Sequence, residues 1–170
     1  MSEDLEFIVN RTVDAPRDLV WEVYSKAEHL AKWWGPAGFD WISCTLDFRP
    51  GGHFHYGMRA PNGDEMWGRF DYLEIKAPEL MVFTNSFSDA QGNIARAPFA
   101  AISNDWPLKI LNHVSFSETN GRTTITSRGK PVDATPAERA RFKAMHPSMQ
   151  QGFKGTFDKL EAYLGEIRKA

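Results

Sequence analysis

The sequence Trp33-Trp34-Gly35-Pro36 places two adjacent indoles at the end of a helical pattern. Neighbouring positions of an α-helix lie about 100° apart around its axis, so the two rings cannot share one narrow apolar face. One tryptophan is therefore expected to enter the core while the other faces a groove or cavity. Gly35 and Pro36 stop the helix, because proline lacks the backbone donor and its ring clashes with helical continuation. The motif predicts a cavity rim and leaves open which tryptophan takes which role.

On the N-terminal side of this motif, the pattern changes from strand to helix. Apolar and polar residues alternate over residues 5–13, which indicates an opening β-strand. Asp14 can cap a helix and Pro16 suits its first turn, so a short helix is expected over residues 16–25. Ser25 is expected to cap a second helix, and this second helix carries the tryptophan pair.

On the C-terminal side, strand patterns dominate from Phe39 onward. Short turns that contain glycine, proline and asparagine separate the strands. The expected strands cover residues 39–48, the segment from the turn at 50–52 through Met58, and residues 65–75, 80–87, 108–117 and 122–129. Because successive strands with short turns pair with each other, these segments predict an antiparallel meander.

Two helices are expected after the last strand. Thr135, Pro136 and Glu138 provide a capping hydroxyl, a proline at the first position and a glutamate at the third. Pro147 is expected to end this helix, since proline interrupts helical hydrogen bonding. A long terminal helix follows, and its apolar stripe consists of Met149, Phe153, Phe157, Leu160, Leu164 and Ile167.

The order of strand, two short helices, meander and long terminal helix predicts the α+β fold class. In this arrangement a curved antiparallel sheet wraps around the C-terminal helix, which is the helix-grip layout. The chain has 170 residues, of which 42% are hydrophobic, and this suits one compact core. Residues 1–170 are therefore expected to form a single domain.

Composition and charge exclude several classes of protein. The net charge is −2 and no cluster of lysine and arginine is present, so nucleic acid is not an expected partner. No apolar run approaches the roughly 20 residues of a membrane span, and the acidic start MSEDLEF differs from a basic leader. The only cysteine, Cys44, excludes an internal disulfide, and no Cys/His spacing resembles a zinc site. A cytoplasmic protein without a membrane partner, a metal or a cofactor is expected.

Hairpin turns determine which strand residues share a face of the sheet. A turn at residues 60–64 places Arg59 opposite Glu65, and the turn at 76–79 extends the register to the next strand. One face then carries Phe54, Tyr56, Met58, Met66, Gly68, Phe70, Tyr72, Met81, Phe83, Asn85 and Phe87. The opposite face carries His53, His55, Arg59, Glu65, Trp67, Arg69 and Asp71. The hairpin at 118–121 likewise groups Ile110, Asn112, Val114 and Phe116 with Thr123, Ile125 and Ser127.

The aromatic face is expected to be concave, because exposing its rings to water would forfeit roughly 25 cal/mol for every Å². His53 and His55 then point outward. Alternate strand residues share a face and imidazole suits zinc, but the pattern offers no third ligand, so no metal site is predicted. A register slip of one residue would reverse these orientations.

Aromatic surface with few polar atoms is typical of a ligand cavity. The candidate ligand-binding residues are Trp33, Trp34, Phe54, Tyr56, Met58, Phe70, Phe83, Asn85, Asn112, Val114, Ser127, Met149 and Phe153. The amides of Asn85 and Asn112 either meet a ligand or satisfy each other or the backbone, and Cys44 is a further inward candidate. No strong general base and no Ser/His/Asp or Cys/His array falls on this face, which favours binding over catalysis.

The connection between the two groups of strands, residues 88–107, is unusually long for a meander. It contains the apolar residues Ile94, Phe99, Ala100, Ala101, Ile102 and Trp106. It could be a lid over the cavity, fixed core that packs across the end of the barrel, or the surface of a homodimer, since exposed apolar loops seldom stay unpaired. The sequence leaves these three interpretations open.

Three groups of motifs span nearly the whole chain. They are Ala15-Pro16 with Val20-Trp21 and Glu28-His29-Leu30 before the tryptophan motif, then Asp47-Phe48-Arg49-Pro50-Gly51-Gly52-His53-Phe54, and finally Gly152-Phe153 with Asp158-Lys159-Leu160 and Tyr163-Leu164. Together they resemble the START-like or SRPBCC superfamily, and within it the homologues of the activator of heat-shock-protein-90 ATPase. The commonest family residue at position 153 is tryptophan, so Phe153 keeps an aromatic ring and loses an indole donor.

The resemblance implies a START-like, birch-pollen-allergen-like helix-grip fold with a cavity between the sheet and the terminal helix. Relatives bind hydrophobic small molecules, a few act as cyclases, dehydratases or hydrolases, and a eukaryotic branch assists a chaperone. Binding of a hydrophobic or aromatic small molecule is therefore the leading expectation, although the fold alone leaves function open. The alternatives are an enzyme, with Tyr56 as proton donor or orienting group, and a chaperone ATPase accessory protein.

Overall fold

The computed structural model describes residues 5–35, 38–99 and 104–169. In chain order the elements are β1 (Phe7–Val13), α1 (Arg17–Ser25), α2 (Ala27–Trp33), β2 (Asp40–Leu46), β3 (His53–Arg59), β4 (Glu65–Lys76), β5 (Leu80–Ser88), β6 (Ile110–Thr119), β7 (Arg122–Pro131), α3 (Pro136–Ala144) and α4 (His146–Lys169). The seven strands form one antiparallel sheet in the order β1-β7-β6-β5-β4-β3-β2. The curved open sheet, the long terminal helix and the two short helices after β1 confirm the predicted α+β helix-grip fold.

The predicted strand register is confirmed over most of the meander. Arg59 lies opposite Glu65, and Val114 lies opposite Ser127. An unpredicted irregularity shifts the register of β4 and β5 between Tyr72 and Glu74. The residue between them, Leu73, is 55% exposed. A bulge adds one residue to one strand of a pair, which alternation alone does not reveal.

The starts of the two short helices differ from the prediction. Pro16 is the N-cap of α1 rather than part of its first turn, and no side chain caps this helix, so Asp14 does not have the predicted role. Ser25 is the last residue of α1 instead of the cap of α2, and its hydroxyl donates to the carbonyl of Glu22. The extended backbone of Lys26 alone separates the two helices, which leaves Ser25 inside the first of them.

The predicted start of α3 is confirmed. The side chain of Thr135 accepts a hydrogen bond from the backbone N–H of Glu138, whose carboxylate accepts one from the Thr135 backbone, so both form a capping box. α3 ends before Pro147, which lies in the first turn of α4, where a missing N–H costs little.

The apolar stripe of α4 packs into the concave face of the sheet. Phe157, Leu160 and Leu164 are buried in the same core as residues of every strand from β3 to β7. Ion pairs of Arg11 in β1 with two acidic residues of α4 support this packing at the sheet edge. Among the described residues, no helix combines the length and apolar character that crossing a bilayer requires.

Candidate functional site: a cavity between the sheet and the terminal helix

A cavity of about 410 Å³ lies between the concave face of the sheet and α4. Strands β3 to β7 supply one wall, and the first half of α4 supplies the other. The side chains that line it are mostly rings and thioethers, including Met58, Met66, Phe70, Tyr72, Met81, Phe83, Phe87, Met145, Met149, Phe153 and Phe157. The alternation of inward and outward residues along the strands therefore concentrates the apolar side chains on one surface.

The structure brings most of the predicted ligand-binding residues to this cavity. Those that line it are Trp34, Tyr56, Met58, Phe70, Phe83, Asn85, Asn112, Val114, Ser127, Met149 and Phe153. Trp33 and Phe54 lie elsewhere and are fully buried. Phe54 packs against Trp41 of the edge strand β2 and against Tyr56, so neighbouring rings separate it from the cavity.

The tryptophan pair divides into one core residue and one cavity residue. Trp33 ends α2, and its Nε1 donates to the carbonyl of Val23 at 3.0 Å, which ties α2 to α1. Trp34 has an extended backbone outside the helix and lines the cavity, where its ring meets Phe70 edge-on. The prediction that the second helix carries both tryptophans is therefore wrong, because the chain leaves the helix between them.

Gly35 makes room for the side chain of Met58 next to this helix end. Its φ is +101°, which disfavours a side chain. A Cβ at this position would also lie 2.5 Å from the sulfur of Met58. The glycine thus permits both the positive φ at this position and the close approach of Met58 in β3.

Other cavity residues were not among the predicted ones. The predicted register already placed four of them on the aromatic face, and it could have identified them as candidates: Met66, Tyr72, Met81 and Phe87. Tyr24 and Leu30 belong to the apolar patterns of the two short helices but were not proposed to contact a ligand, and no sequence pattern singled out Ser86, Met145, Ser148 or Thr156. Met145 and Ser148 reach the cavity from the junction of α3 and α4, whose geometry depends on tertiary packing.

Tyr56 and Gly68 form a directly opposed pair on the concave face. A Cβ on Gly68 would lie 2.5 Å from the hydroxyl oxygen of Tyr56, so the tyrosine tip lies across the glycine. The reverse arrangement occurs on the outer face, where the ring of Trp67 lies over Gly57. Each glycine is covered by the aromatic residue of the partner strand, which compensates for its missing side chain.

The two predicted inward amides largely satisfy each other. Asn112 Nδ2 donates to Asn85 Oδ1 at 2.6 Å and to the carbonyl of Ile110 at 3.1 Å. Trp34 differs, because its Nε1 is buried and has no hydrogen-bond partner among the described residues. A buried donor without a partner costs free energy. Among the described cavity residues, this indole is the buried donor that lacks a hydrogen bond.

Burial keeps the phenols of the cavity neutral. It raises the pKa of Tyr56 to about 12, and the adjacent Trp34 indole opposes this rise only in part. Burial also raises the pKa of Tyr24 and of Tyr72. Among the described residues that line the cavity, none is aspartate, glutamate, lysine, arginine or histidine. The cavity therefore offers hydroxyl and amide groups at neutral pH, without a charged side chain.

The predicted outward orientation of His53 and His55 is confirmed. His53 Nδ1 lies 3.0 Å from Asp71 Oδ1, and the ring of His55 stacks on Trp67. Partial burial raises the pKa of Asp71, but the hydrogen bonds and charge of Arg69 outweigh it and hold that pKa below its usual value. In the described ranges, no three histidine, cysteine or acidic side chains come together as metal ligands.

A β-bridge and two ion pairs anchor the described parts of the long connection to β5 and α3. Ser88 pairs with Ile94, and Arg96 forms an ion pair with Glu138 of α3 at 2.7 Å. A second ion pair joins Asp105 to Arg141 of α3. Phe99 contacts Phe87 at the cavity and is 45% exposed. The predicted apolar residues Ala100, Ala101 and Ile102 lie outside the described residues, so the interpretations as lid, as fixed core and as homodimer surface all stay predictions.

Comparisons with known proteins agree with this architecture. The family model described as Activator of Hsp90 ATPase homolog 1-like protein matches residues 14–165. A crystal structure of a protein from Nitrosomonas europaea has a TM-score of 0.77 at 22% identity and covers 100% of both chains. A crystal structure from Mycobacterium smegmatis has a TM-score of 0.76 at 24% identity and covers 96% of this chain and 93% of that one. A solution structure from Arthrobacter aurescens has a TM-score of 0.77 at 24% identity and covers 98% of this chain and 89% of that one.

At these sequence identities, the likeness to the solved structures concerns the fold. No curated protein matches the sequence.

Proposed function

Because the chain belongs to the family of Activator of Hsp90 ATPase homolog 1-like proteins, whose fold typically binds hydrophobic ligands, we propose that it binds a neutral hydrophobic or aromatic small molecule between the sheet and α4. The observation that carries this proposal is the cavity of about 410 Å³. This volume falls within the range of roughly 300 to 1,000 Å³ that is common for small-molecule sites.

The chemistry of the lining supports a neutral and apolar occupant. Phe70 and Phe83 stack in parallel with centroids 4.3 Å apart, and Trp34 stands perpendicular to Phe70. Such rings pack favourably against a flat aromatic molecule. A charged ligand would lose its hydration without finding an opposite charge among the described lining residues, and this loss is expensive.

The proposal is tested with a cavity-filling variant and a control on the other side of the same strand. Val114 lies on the cavity wall, whereas Ser115 is exposed on the outer face. The neutral fluorescent probe N-phenyl-1-naphthylamine is titrated into the native protein, Val114→Trp and Ser115→Trp. We expect the native protein and Ser115→Trp to bind the probe alike, and Val114→Trp to bind at least about tenfold more weakly, because its indole occupies the space of the ligand.

Two outcomes would count against the proposal. One is a folded Val114→Trp variant that binds the probe as tightly as the native protein does. The other is a native protein that binds neither this probe nor other neutral aromatic molecules of similar size. Circular dichroism and thermal unfolding of each variant separate a blocked cavity from a lost fold.

Neither alternative function has a specific observation in its favour. None of the described cavity-lining side chains is a carboxylate, imidazole or amine that would serve as a strong general base. The family description names an activator of an ATPase, but no contact or charged surface among the described residues favours that role over ligand binding.

A further inference from the structure

The hydroxyl of Tyr56 is held at one place on the cavity wall. Its ring lies across Gly68, where a Cβ would come within 2.5 Å of the hydroxyl oxygen. Tyr56 is buried among Phe54, Phe70 and Trp34, so the ring has little freedom to turn away. Since Tyr56 lines the cavity, its polar tip belongs to the surface that a bound molecule would contact.

The Trp34 indole restricts the direction of the Tyr56 hydroxyl proton. The two rings are nearly perpendicular, with centroids 6.4 Å apart. The Trp34 indole partly opposes the rise in the Tyr56 pKa, as a donor close to the phenol oxygen does, although its Nε1 makes no hydrogen bond of regular geometry with the described residues. An indole N–H only donates, whereas a phenol oxygen can accept and donate at once. When that N–H is directed at the Tyr56 oxygen, the phenol proton must point away from the indole, and Tyr56 lines the cavity on that wall.

An acceptor on the ligand would complete this arrangement. The Asn85 amide oxygen already accepts a hydrogen bond from Asn112, which uses one of its two lone pairs. A carbonyl oxygen accepts a hydrogen bond and brings neither a charge nor a donor of its own into an apolar space. A carboxylate would bring a charge, and an alcohol would bring a second donor that needs a partner.

We propose that the cavity prefers neutral aromatic molecules that carry a carbonyl group, whose oxygen accepts a hydrogen bond from the Tyr56 hydroxyl. Trp34 is a positioning residue, because its N–H orients that hydroxyl and polarises it without touching the ligand oxygen. This inference rests on the proposed function, since it specifies the chemistry of a ligand in the same cavity.

The test compares two probes of nearly equal shape, 1-tetralone and tetralin, which differ in one carbonyl group. Dissociation constants come from titrations of the ¹⁵N-labelled protein followed by NMR. Tyr56→Phe removes the hydroxyl and keeps the ring, and Tyr163→Phe is the matched control, because the Tyr163 hydroxyl is hydrogen-bonded with His29 Nδ1 and Tyr163 is not among the described residues that line the cavity. The measured quantity is the ratio of the tetralin to the tetralone dissociation constant, in which differences in hydrophobicity cancel between variants.

We expect Tyr56→Phe to lower this ratio about three- to tenfold, which corresponds to the loss of one hydrogen bond, and Tyr163→Phe to leave it unchanged. If both probes bind and the ratio is the same in Tyr56→Phe and native protein, the carbonyl preference is overturned while the proposed function stands. A change of the same size in Tyr163→Phe would show that the ratio does not report on the Tyr56 hydroxyl, and would overturn the assignment to Tyr56. If the native protein binds neither these two probes nor N-phenyl-1-naphthylamine, the proposed function fails, and this inference fails with it. If it binds N-phenyl-1-naphthylamine but not 1-tetralone, only the carbonyl preference is overturned.

A spectroscopic measurement tests the role of Trp34. The ¹³C resonance of carbonyl-labelled 1-tetralone moves downfield when its oxygen accepts a hydrogen bond. We expect a downfield shift in native protein, a smaller one in Trp34→Phe and none in Tyr56→Phe. A bound resonance at its position in hydrocarbon solvent would overturn the proposal from native protein alone, whatever the variants do. An unchanged shift in Trp34→Phe would overturn the positioning role.

Discussion

On both faces of the β3–β4 hairpin an aromatic ring covers a glycine of the partner strand, but one face lines the apolar cavity and the other faces outward. On the concave face Tyr56 covers Gly68, and on the outer face Trp67 covers Gly57. The indole N–H of Trp67 donates to Glu65 at 2.9 Å, whereas the indole N–H of Trp34 on the concave side has no partner among the described residues. The indole of the outer face is thus satisfied within the protein, whereas the indole of the concave face is not.

The largest expected difference between the faces is in packing energy. Phe54 is fully buried on the concave face, and its neighbour His55 stacks on Trp67 on the outer face. We expect Phe54→Ala to lower the free energy of unfolding by about 3 to 5 kcal/mol, because it leaves a cavity among rings. His55→Ala is expected to cost less than about 1 kcal/mol. Urea denaturation measures both, and equal losses would contradict the distinction between the faces.

The concave face is expected to dominate the alkaline pH dependence of stability. The pKa of Tyr56 is about 12 in the folded protein and about 10 in an unfolded chain. The folded state therefore keeps a proton that the unfolded state loses, so stability is complete below about pH 10 and falls as pH rises through 12. Tyr56→Phe should remove up to about 2 to 3 kcal/mol of this decrease.

Urea denaturation of native protein and Tyr56→Phe between pH 8 and 12 tests this expectation. Tyr24 and Tyr72 remain in the variant and should retain part of the alkaline decrease, since burial also raises their pKa values. Parallel stability curves for the two proteins would mean that the Tyr56 hydroxyl is hydrated in the folded state.

The paired glycines allow a direct comparison of the faces with one substitution. A Cβ at Gly68 would meet the Tyr56 hydroxyl at 2.5 Å, and one at Gly57 would meet the Trp67 ring at 2.5 Å. We expect Gly68→Ala to destabilise the protein by about 1 to 3 kcal/mol, because Tyr56 is enclosed by other rings. Gly57→Ala should cost less than about 1 kcal/mol, since the partly exposed Trp67 can move outward. Thermal and urea unfolding measure the difference, and the reverse order would show that the outer face is the more rigid one.

The smallest effect is expected from the ionic network of the outer face. Asp71 pairs with Arg69 and His53, and Arg69 holds its pKa below the usual value despite partial burial. Its contribution is therefore present above about pH 4 and is lost as pH falls through the lowered pKa. We expect Asp71→Asn to cost less than about 1 kcal/mol at pH 7 and to flatten the stability profile below pH 4. A profile that keeps its full acid slope in the variant would assign that slope to other carboxylates.

Periodicity predicted the parts of this molecule that depend on local alternation. The strands, the capping box at Thr135 and the face on which Tyr56 and Phe70 lie all follow from short-range patterns and turn geometry. The extra residue at Leu73 could not be predicted, because a bulge keeps the composition of a strand and changes only its pairing. The prediction that Ser25 caps α2 is wrong, because α1 extends through Ser25 and the single extended residue Lys26 is the N-cap of α2.

The candidate site was less predictable than the sheet, because it combines distant segments. The separate roles of Trp33 and Trp34 depend on the backbone direction after α2 and on the positive φ of Gly35, which helical spacing does not encode. Phe54 shares a strand face with Tyr56, yet the edge strand β2 covers it and removes it from the cavity. Alternation identifies the face of a residue, whereas tertiary packing decides which part of that face stays open.

The strand order of the sheet also bears on the folding kinetics of the chain. β1 is the first strand, yet it pairs with the last one, with Phe7 opposite Gly129 and Val13 opposite Thr123. All other neighbours in the sheet are consecutive strands, and apart from the long connection between β5 and β6 their hairpins close short loops at lower entropic cost. We therefore expect the meander to form first and β1 to dock late, together with α4, which Phe7 contacts through Phe153. In stopped-flow experiments, Val9→Ala would then accelerate unfolding and leave the refolding rate nearly unchanged.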